Sequence, residues 1–164
     1  MQHVTSFGGP RILLPTQDVE RWIDEMGDEP TPDEGLYGLA CSVDAYCGII
    51  EPWDSPLLIF GDDPCDMFWS PHQEGGLFIR WIGADTLEQL TAFANSVADA
   101  GDWAERTEWD AQFGNYTLMD TCACPGDGQP RIEIALRAGE YVIESQYAES
   151  DDVMTIVQQL RFVR

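Results

Sequence analysis

The stretch RIEIALRAGEYVIESQYAESDDVMTIVQQLRFV, residues 131–163, carries the clearest fold signal in the chain. Residues 131–137 alternate apolar and polar side chains, so that Ile132, Ile134 and Leu136 face one way. Strict alternation is typical of a strand with one buried face. We therefore predict a β-strand over residues 131–137.

Two turn signals divide the same stretch into three strands. The Ala-Gly pair at 138–139 can turn the first strand into a second at 141–147. The Asp-Asp pair at 151–152 marks a turn before a third strand at 154–163. Consecutive strands joined by tight turns pair antiparallel, so these segments predict hairpins.

Short apolar runs between Gly, Pro and Asp residues predict strands through most of the remaining chain. They lie at residues 11–14, 36–43, 47–50, 57–60, 67–69, 77–82, 103–109 and 116–120.

Two amphipathic helices are predicted. Thr16 can cap the first, whose apolar face is Val19, Trp22, Ile23 and Met26 and which ends at Gly27. Asp85 and Glu88 have capping-box spacing for the second, which ends at Gly101. Its apolar stripe consists of Leu87, Leu90, Ala94, Val97 and Ala98.

These elements predict an α+β fold. We expect one domain over residues 1–164, mainly antiparallel β-sheet built from hairpins and meanders and covered by about two amphipathic helices. A chain of 164 residues is long enough to bury a substantial core.

The charge limits the partners. Thirty acidic residues face eight basic ones, all arginine, so the formal net charge is −22. Such a surface repels nucleic acid and membranes of anionic lipid and attracts basic proteins. The same composition is also expected of a surface that only keeps the protein soluble, or of a genome whose base composition favours arginine over lysine.

The location is expected to be cytoplasmic. Residues 1–15 lack the basic region and the long apolar run of a secretory signal. Five cysteines cannot all pair within one chain, which fits reduced thiols in the cytosol. We expect Cys41, Cys47 and Cys65 to be buried and inert.

No cofactor, metal or enzymatic activity is predicted. Asp62, Asp63 and Asp66 gather three carboxylates, but they lack the ligand spacing of a calcium loop. Cys122 and Cys124 are too close in sequence for a zinc knuckle. His72 stands in a Ser-Pro-His turn without a nucleophile in a suitable context. The alternative that we keep open is an acidic module that binds a small ligand or a divalent cation through the three aspartates.

Trp53 is the tryptophan that we expect to be exposed. It lies in the loop EPWDSP, residues 51–56, between acidic side chains. An exposed tryptophan beside acids suits a surface that binds a basic protein.

Read in order, several short motifs resemble a known family, the immunity protein 21 family of bacterial polymorphic toxin systems. The likeness covers roughly residues 7–163, with Trp22 and Trp103 among its landmarks. The motifs are GGPRILLP at 8–15, LAC at 39–41, GII at 48–50, LLIFGDDP at 57–64, FWSP at 68–71, FIRW at 78–81 and LMD at 118–120. The enlarged turn at 51–53 and Cys122-Ala-Cys124 depart from the pattern.

The resemblance implies a mostly β, non-catalytic antidote that binds the toxic domain encoded beside it. A nuclease is one toxin class that would suit an acidic inhibitor, which can mimic the phosphates of the substrate. We therefore expect contact with a basic toxin surface through the acidic loops and Trp53. The candidate contact residues are Asp28, Glu29, Asp33, Glu34, Trp53, Asp54, Asp62, Asp63, Asp66 and Glu74.

Overall fold

The computed structural model describes residues 2–27, 31–61, 65–72, 75–122, 128 and 130–164. A 3₁₀ turn, Thr16–Asp18, precedes three α-helices, which are α1 (Val19–Met26), α2 (Gly35–Cys41) and α3 (Leu87–Ala100). The strands are β1 (Gln2–Val4), β2 (Arg11–Pro15), β3 (Gly48–Ile50), β4 (Leu57–Phe60), β5 (Asp66–His72), β6 (Gly75–Gly83), β7 (Glu105–Ala111), β8 (Asn115–Asp120), β9 (Ile132–Ala135), β10 (Gly139–Glu149) and β11 (Met154–Phe162).

The strands form two antiparallel sheets. Sheet A has six strands in the order β1-β5-β6-β11-β10-β7, and sheet B has five in the order β3-β4-β2-β8-β9. The predicted α+β fold with mainly antiparallel sheet is confirmed.

The two sheets pack face to face, and helices cover both outer sides. The core between the sheets joins Leu13 and Leu118 of sheet B to Phe78, Tyr141 and Leu160 of sheet A. A second core packs the other face of sheet B against α1 and α2. A third packs the other face of sheet A against α3. The result is four layers: α1–α2, sheet B, sheet A and α3.

This layering explains why the central strands of sheet B show no alternation. All five residues of β2 and all four of β4 are buried. Side chains of a strand alternate between the two faces, so a strand that is covered on both sides needs apolar residues throughout.

The strand predicted at residues 36–43 is wrong, because this run forms α2. Leu36 and Ala40 are four residues apart and both pack on the core between sheet B and its helices. That spacing places them on one face of a helix. A short apolar run cannot be assigned to strand or helix by periodicity alone, and here the tertiary packing decides.

The hairpin predicted around residues 138–139 is also wrong. The strand before the turn, β9, belongs to sheet B, whereas β10 belongs to sheet A. Gly139 has a φ of +144° where the chain crosses from one sheet to the other. The turn at 151–152 does join hairpin partners, since β10 pairs with β11 from Tyr141↔Phe162 to Glu149↔Met154.

Both predicted helices form, with different N-terminal caps. The cap of α3 is Thr86, whose hydroxyl accepts a hydrogen bond from the Gln89 amide, so the predicted Asp85 and Glu88 pair is one residue out of place. Thr16 begins the 3₁₀ turn, and Asp18 caps α1 without a side-chain hydrogen bond. Gly101 ends α3 in the left-handed conformation, as expected.

Candidate functional site

The negative charge is unevenly distributed over the layers. Residues 16–54, which include α1 and α2, contain eleven acidic residues and one arginine, a net charge of 1 − 11 = −10. This segment supplies nearly half of the total of −22. The segment that contains both helices of the layer over sheet B is therefore strongly acidic.

The outer face of sheet A has a different balance. On the strands β7, β10 and β11, Arg106 and Arg161 approach the two carboxylate oxygens of Glu144 at 3.8 and 3.1 Å. Arg164 pairs with Glu140 at 2.7 Å. Three arginines thus pair with acids on this side of the molecule, whereas two, Arg21 and Arg131, pair with acids of α1.

Trp53 joins the acidic layer to the core. Its ring meets the buried ring of Trp22 edge to face, with centroids 6.3 Å apart, and packs on the core of the helical layer. It is half-buried, so the expectation of an exposed side chain holds only for part of the ring.

Two residues of α1 surround the remaining part of Trp53. The Arg21 guanidinium lies 4.3 Å from the ring centroid, and Trp53 Nε1 donates to Glu25 Oε2 at 3.0 Å. Arg21 Nε in turn donates to Glu25 Oε1 at 2.6 Å. Both hydrogen bonds lower the pKa of Glu25, and the bond from Arg21 has the larger effect. We call this cluster the Trp53–Glu25 clamp, with Arg21 as its occupant.

The sequence analysis missed Arg21 and Glu25. The available signal was their i,i+4 spacing on a predicted helix, which places two side chains next to each other. Nothing local indicated that Trp53, which is 28 residues from Glu25, would complete the cluster.

The structure describes five of the ten predicted contact residues. Asp33 and Glu34 precede α2, Asp54 follows Trp53, and all three acids are exposed. Asp66 begins β5 in sheet A and accepts a hydrogen bond from the Ser6 amide. Asp28, Glu29, Asp62, Asp63 and Glu74 lie outside the described residues.

A buried ion pair holds the loops where β2 begins and β8 ends. Arg11 Nη1 lies 2.8 Å from Asp120 Oδ2, and the side chains are 3% and 1% exposed. Arg11 also donates to the carbonyls of Gly9 and Cys65. Its burial lowers the pKa of Arg11, and the Asp120 carboxylate opposes that effect. Arg11 Nε is buried without a hydrogen-bond partner among the described residues.

A second buried arginine, Arg80, fixes neighbouring loops from sheet A. Its guanidinium donates to the carbonyls of Gly61 and Tyr46 and to Gln158 Oε1. Gly61 and Cys65 are therefore each held by one of the two buried arginines. Both guanidinium groups act as structural ties.

The predicted aspartate cluster has only one described member, Asp66. Across the described ranges, no three His, Cys, Asp or Glu side chains are placed to hold a metal ion. His72 is exposed at the end of β5.

The cysteines differ in their surroundings. Cys47 is fully buried, and desolvation raises the pKa of its thiol, which keeps it protonated and unreactive. Cys41 and Cys65 are half-buried, so the expectation of burial is wrong for them.

The pKa of the Tyr37 hydroxyl is raised. The largest cause is a hydrogen bond with Cys122, followed by burial and by a hydrogen bond with Cys41. The Tyr37 hydroxyl thus lies between the end of β8 and α2.

A groove of about 470 Å³ opens between the edges of the two sheets, beside β9. Trp69, Ile134, Leu136 and Tyr141 are among its apolar lining residues, and Glu133 contributes the carboxylate. A single carboxylate on an apolar wall does not provide the paired acid and base that hydrolytic chemistry uses.

In the part of the chain that the structure describes, no helix has the length and apolar character needed to cross a bilayer.

Comparison with known families identifies a match. The sequence model of the family described as Immunity protein 21 matches residues 2–154. Comparison with curated proteins and with solved structures gives no match.

Proposed function

This chain belongs to the immunity protein 21 family, and from that premise we propose that it binds a cognate polymorphic toxin domain and neutralises it by stoichiometric occlusion, without catalysis. The observation that supports this mechanism best is the net charge of −10 on residues 16–54, the segment that includes α1 and α2. We further propose that the antidote acts in the cytoplasm as a single domain.

The charge suits a toxin domain with a basic surface. Complementary charge accelerates association, toward about 10⁸–10⁹ M⁻¹s⁻¹ at low salt. A nuclease is the toxin class that we favour, because its substrate cleft must attract phosphates and would therefore also attract carboxylates. Exposed charge alone does not hold a complex together for long, so packed side chains must supply slow dissociation.

The proposed contact is centred on the helical layer. Asp33, Glu34, Asp54 and Trp53 lie on this layer, and Asp28 and Glu29 fall between α1 and α2 in sequence. Trp53 supplies the aromatic group that interfaces use as an anchor. Asp62, Asp63, Asp66 and Glu74 form a second proposed contact region, which the experiments below treat separately.

Titration of the toxin tests the proposal. The purified toxin domain encoded beside this chain is mixed with increasing amounts of the protein, and toxin activity is followed. Occlusion predicts a linear loss of activity that is complete at about one equivalent. An enzyme that modified the toxin would instead act at far below one equivalent. Undiminished toxin activity at a large excess of the protein would refute the proposal.

A further inference from the structure

The Trp53–Glu25 clamp holds a guanidinium group through two contacts, one with the indole ring and one with the carboxylate. The guanidinium carbon of Arg21 lies over the indole ring, 4.3 Å from its centroid, and Arg21 Nε donates to the Glu25 carboxylate at 2.6 Å. Stacking on an aromatic ring combined with a hydrogen bond to a carboxylate suits a planar guanidinium better than a compact ammonium. The geometry is that of a binding site for an arginine side chain.

One wall of this clamp, Trp53, is held by the core. Trp53 packs on the core of the helical layer and meets Trp22, which is fully buried and donates through Nε1 to the Thr121 carbonyl at 3.1 Å. The hydrogen bond from Trp53 to Glu25 joins the two walls independently of Arg21. The contact between the two walls therefore does not depend on Arg21.

The occupant, in contrast, is held only at the surface. The side chains of Arg21 and Glu25 are 52% and 42% exposed. An exposed ion pair of this kind contributes little, because water screens the charges and two flexible side chains must be ordered. Arg21 can therefore swing away at small cost and leave both walls in place.

The surrounding charge favours a second cation. Arg21 is the one arginine among residues 16–54, whose eleven acids include Glu20, Asp24 and Asp54. Arg131 reaches this region from the start of β9, 3.8 Å from Glu20. The electrostatic field at the clamp therefore draws a partner's guanidinium towards the position that Arg21 occupies.

We propose that Arg21 occupies, in the free protein, a binding site for an arginine of the toxin. When the complex forms, the toxin arginine displaces Arg21 from between Trp53 and Glu25. This inference rests on the proposed function and adds to it the chemistry of the central contact. The partner residue is an arginine on the basic surface of the toxin, stacked on Trp53 and bonded to Glu25.

Removal of the Arg21 side chain provides the sharpest test. Arg21→Ala empties the clamp, and Arg106→Ala is the matched control, since both change the net charge from −22 to −23 and both side chains are about half exposed. The dissociation constant for the neighbour-encoded toxin domain is measured for each. We expect Arg21→Ala to bind about two- to tenfold more tightly than Arg106→Ala, because the internal competitor is gone.

Two further variants remove the walls. Glu25→Gln alters a surface carboxylate, and Trp53→Leu keeps an apolar group on the core while removing the ring; thermal melting checks that both remain folded. Each is expected to weaken binding at least about tenfold, as hot-spot residues do. Unchanged binding for either variant contradicts the proposal, as does Arg21→Ala binding no tighter than Arg106→Ala. Absence of any complex with the unaltered chain would refute the proposed function itself, so the two failures are distinguishable.

Discussion

Arg11 and Asp120 are 109 residues apart in sequence, yet Nη1 and Oδ2 are 2.8 Å apart and sealed from solvent. The pair joins the first residue of β2 to the last residue of β8, which are neighbours in sheet B. Asp120 also accepts hydrogen bonds from the amides of Phe7 and Cys122. One carboxylate therefore organises both loops at this end of the sheet.

Asp120→Asn should strongly destabilise the protein, because it leaves the Arg11 charge buried without its counter-ion. Breaking a buried pair in this way costs about 3–5 kcal/mol. Urea unfolding followed by tryptophan fluorescence measures the free energy of unfolding. Glu140→Gln is the control, since it breaks the exposed pair with Arg164 and should leave the urea midpoint almost unchanged. Equal effects of the two substitutions would contradict the structural role given to Asp120.

Cys47 should make the protein less stable in alkaline solution. Its ordinary pKa is 9.0, and burial raises the pKa in the folded state. Above pH 9 the unfolded chain therefore loses this proton while the folded chain keeps it, and the free energy of unfolding falls by up to about 1.4 kcal/mol per pH unit. Below pH 9 this contribution to stability is fully present.

The valine variant isolates that effect, because Tyr37 and Tyr116 also have raised pKa values. Urea unfolding between pH 7.5 and 10 is compared for the unaltered chain and Cys47→Val. The two curves of stability against pH should separate above pH 9, with the variant falling less steeply. Parallel curves over the whole range would show that the Cys47 thiol does not stay protonated in the fold.

Thr86→Ala should remove the N-terminal cap of α3 and cost about 1 kcal/mol. The lost interaction is the hydrogen bond from the Gln89 amide to the Thr86 hydroxyl at 3.2 Å. Thr91→Ala deletes the same atoms inside the helix, where the hydroxyl bonds the Leu87 carbonyl and alanine is the better helix former. Thermal unfolding should show a loss for Thr86→Ala alone, and a comparable loss for Thr91→Ala contradicts the cap assignment.

Charge on the helical layer should control the rate of association with the toxin. Neutralising Glu20, Asp24 and Asp54 as amides changes the net charge from −22 to −19. The same change at Asp99, Asp102 and Asp152, which are exposed on or near α3 and the β10–β11 turn, is the control. Stopped-flow measurements at 20 mM and 500 mM salt should show slower association for the first set at low salt only. If both sets slow association equally, the total charge matters and its position does not.

Calcium should leave the melting temperature unchanged. A ligand that binds the folded state alone stabilises it by RT ln(1 + [L]/Kd), about 2.7 kcal/mol at a hundredfold excess over Kd. The Asp66 carboxylate already accepts a hydrogen bond from the Ser6 amide, and the Asp120 carboxylate is already paired with Arg11. Both carboxylates therefore have partners without calcium. Melting is followed with calcium and with chelator. A rise in the melting temperature that Asp66→Asn abolishes would favour the cation-binding alternative over the occlusion proposal.

Most strands could be predicted from local pattern, and the turn at 151–152 indicated the pairing of β10 with β11, but the sheet to which β9 belongs could not be predicted. The alternation at residues 131–137 identifies a strand whichever sheet it joins, and the turn at 138–139 looks the same in a hairpin as in a crossing between sheets. β1 escaped notice because its three residues, Gln2–Val4, have no alternating run around them. Its partner β5 lies more than 60 residues away and supplies the pairing.

The clamp illustrates the same limit. The loop position of Trp53 between acids predicts an exposed anchor, and the structure places its ring half-buried on the core of the helical layer. Arg21 and Glu25 looked like an ordinary pair on a helix surface. Their meeting with Trp53 depends on how α1 lies across sheet B, which no short stretch of sequence specifies.

The sequence by itself determined the periodicity of the strands, the apolar faces of α1 and α3 and the excess of negative charge, because each follows from neighbouring residues or from composition. Tertiary structure alone decided that β9 and β10 lie in different sheets, that Arg11 and Arg80 are buried while Arg21 stays at the surface, and that Trp53 meets Arg21 and Glu25. These outcomes depend on contacts between residues far apart in the chain, whose energies are set by burial and distance in the folded molecule.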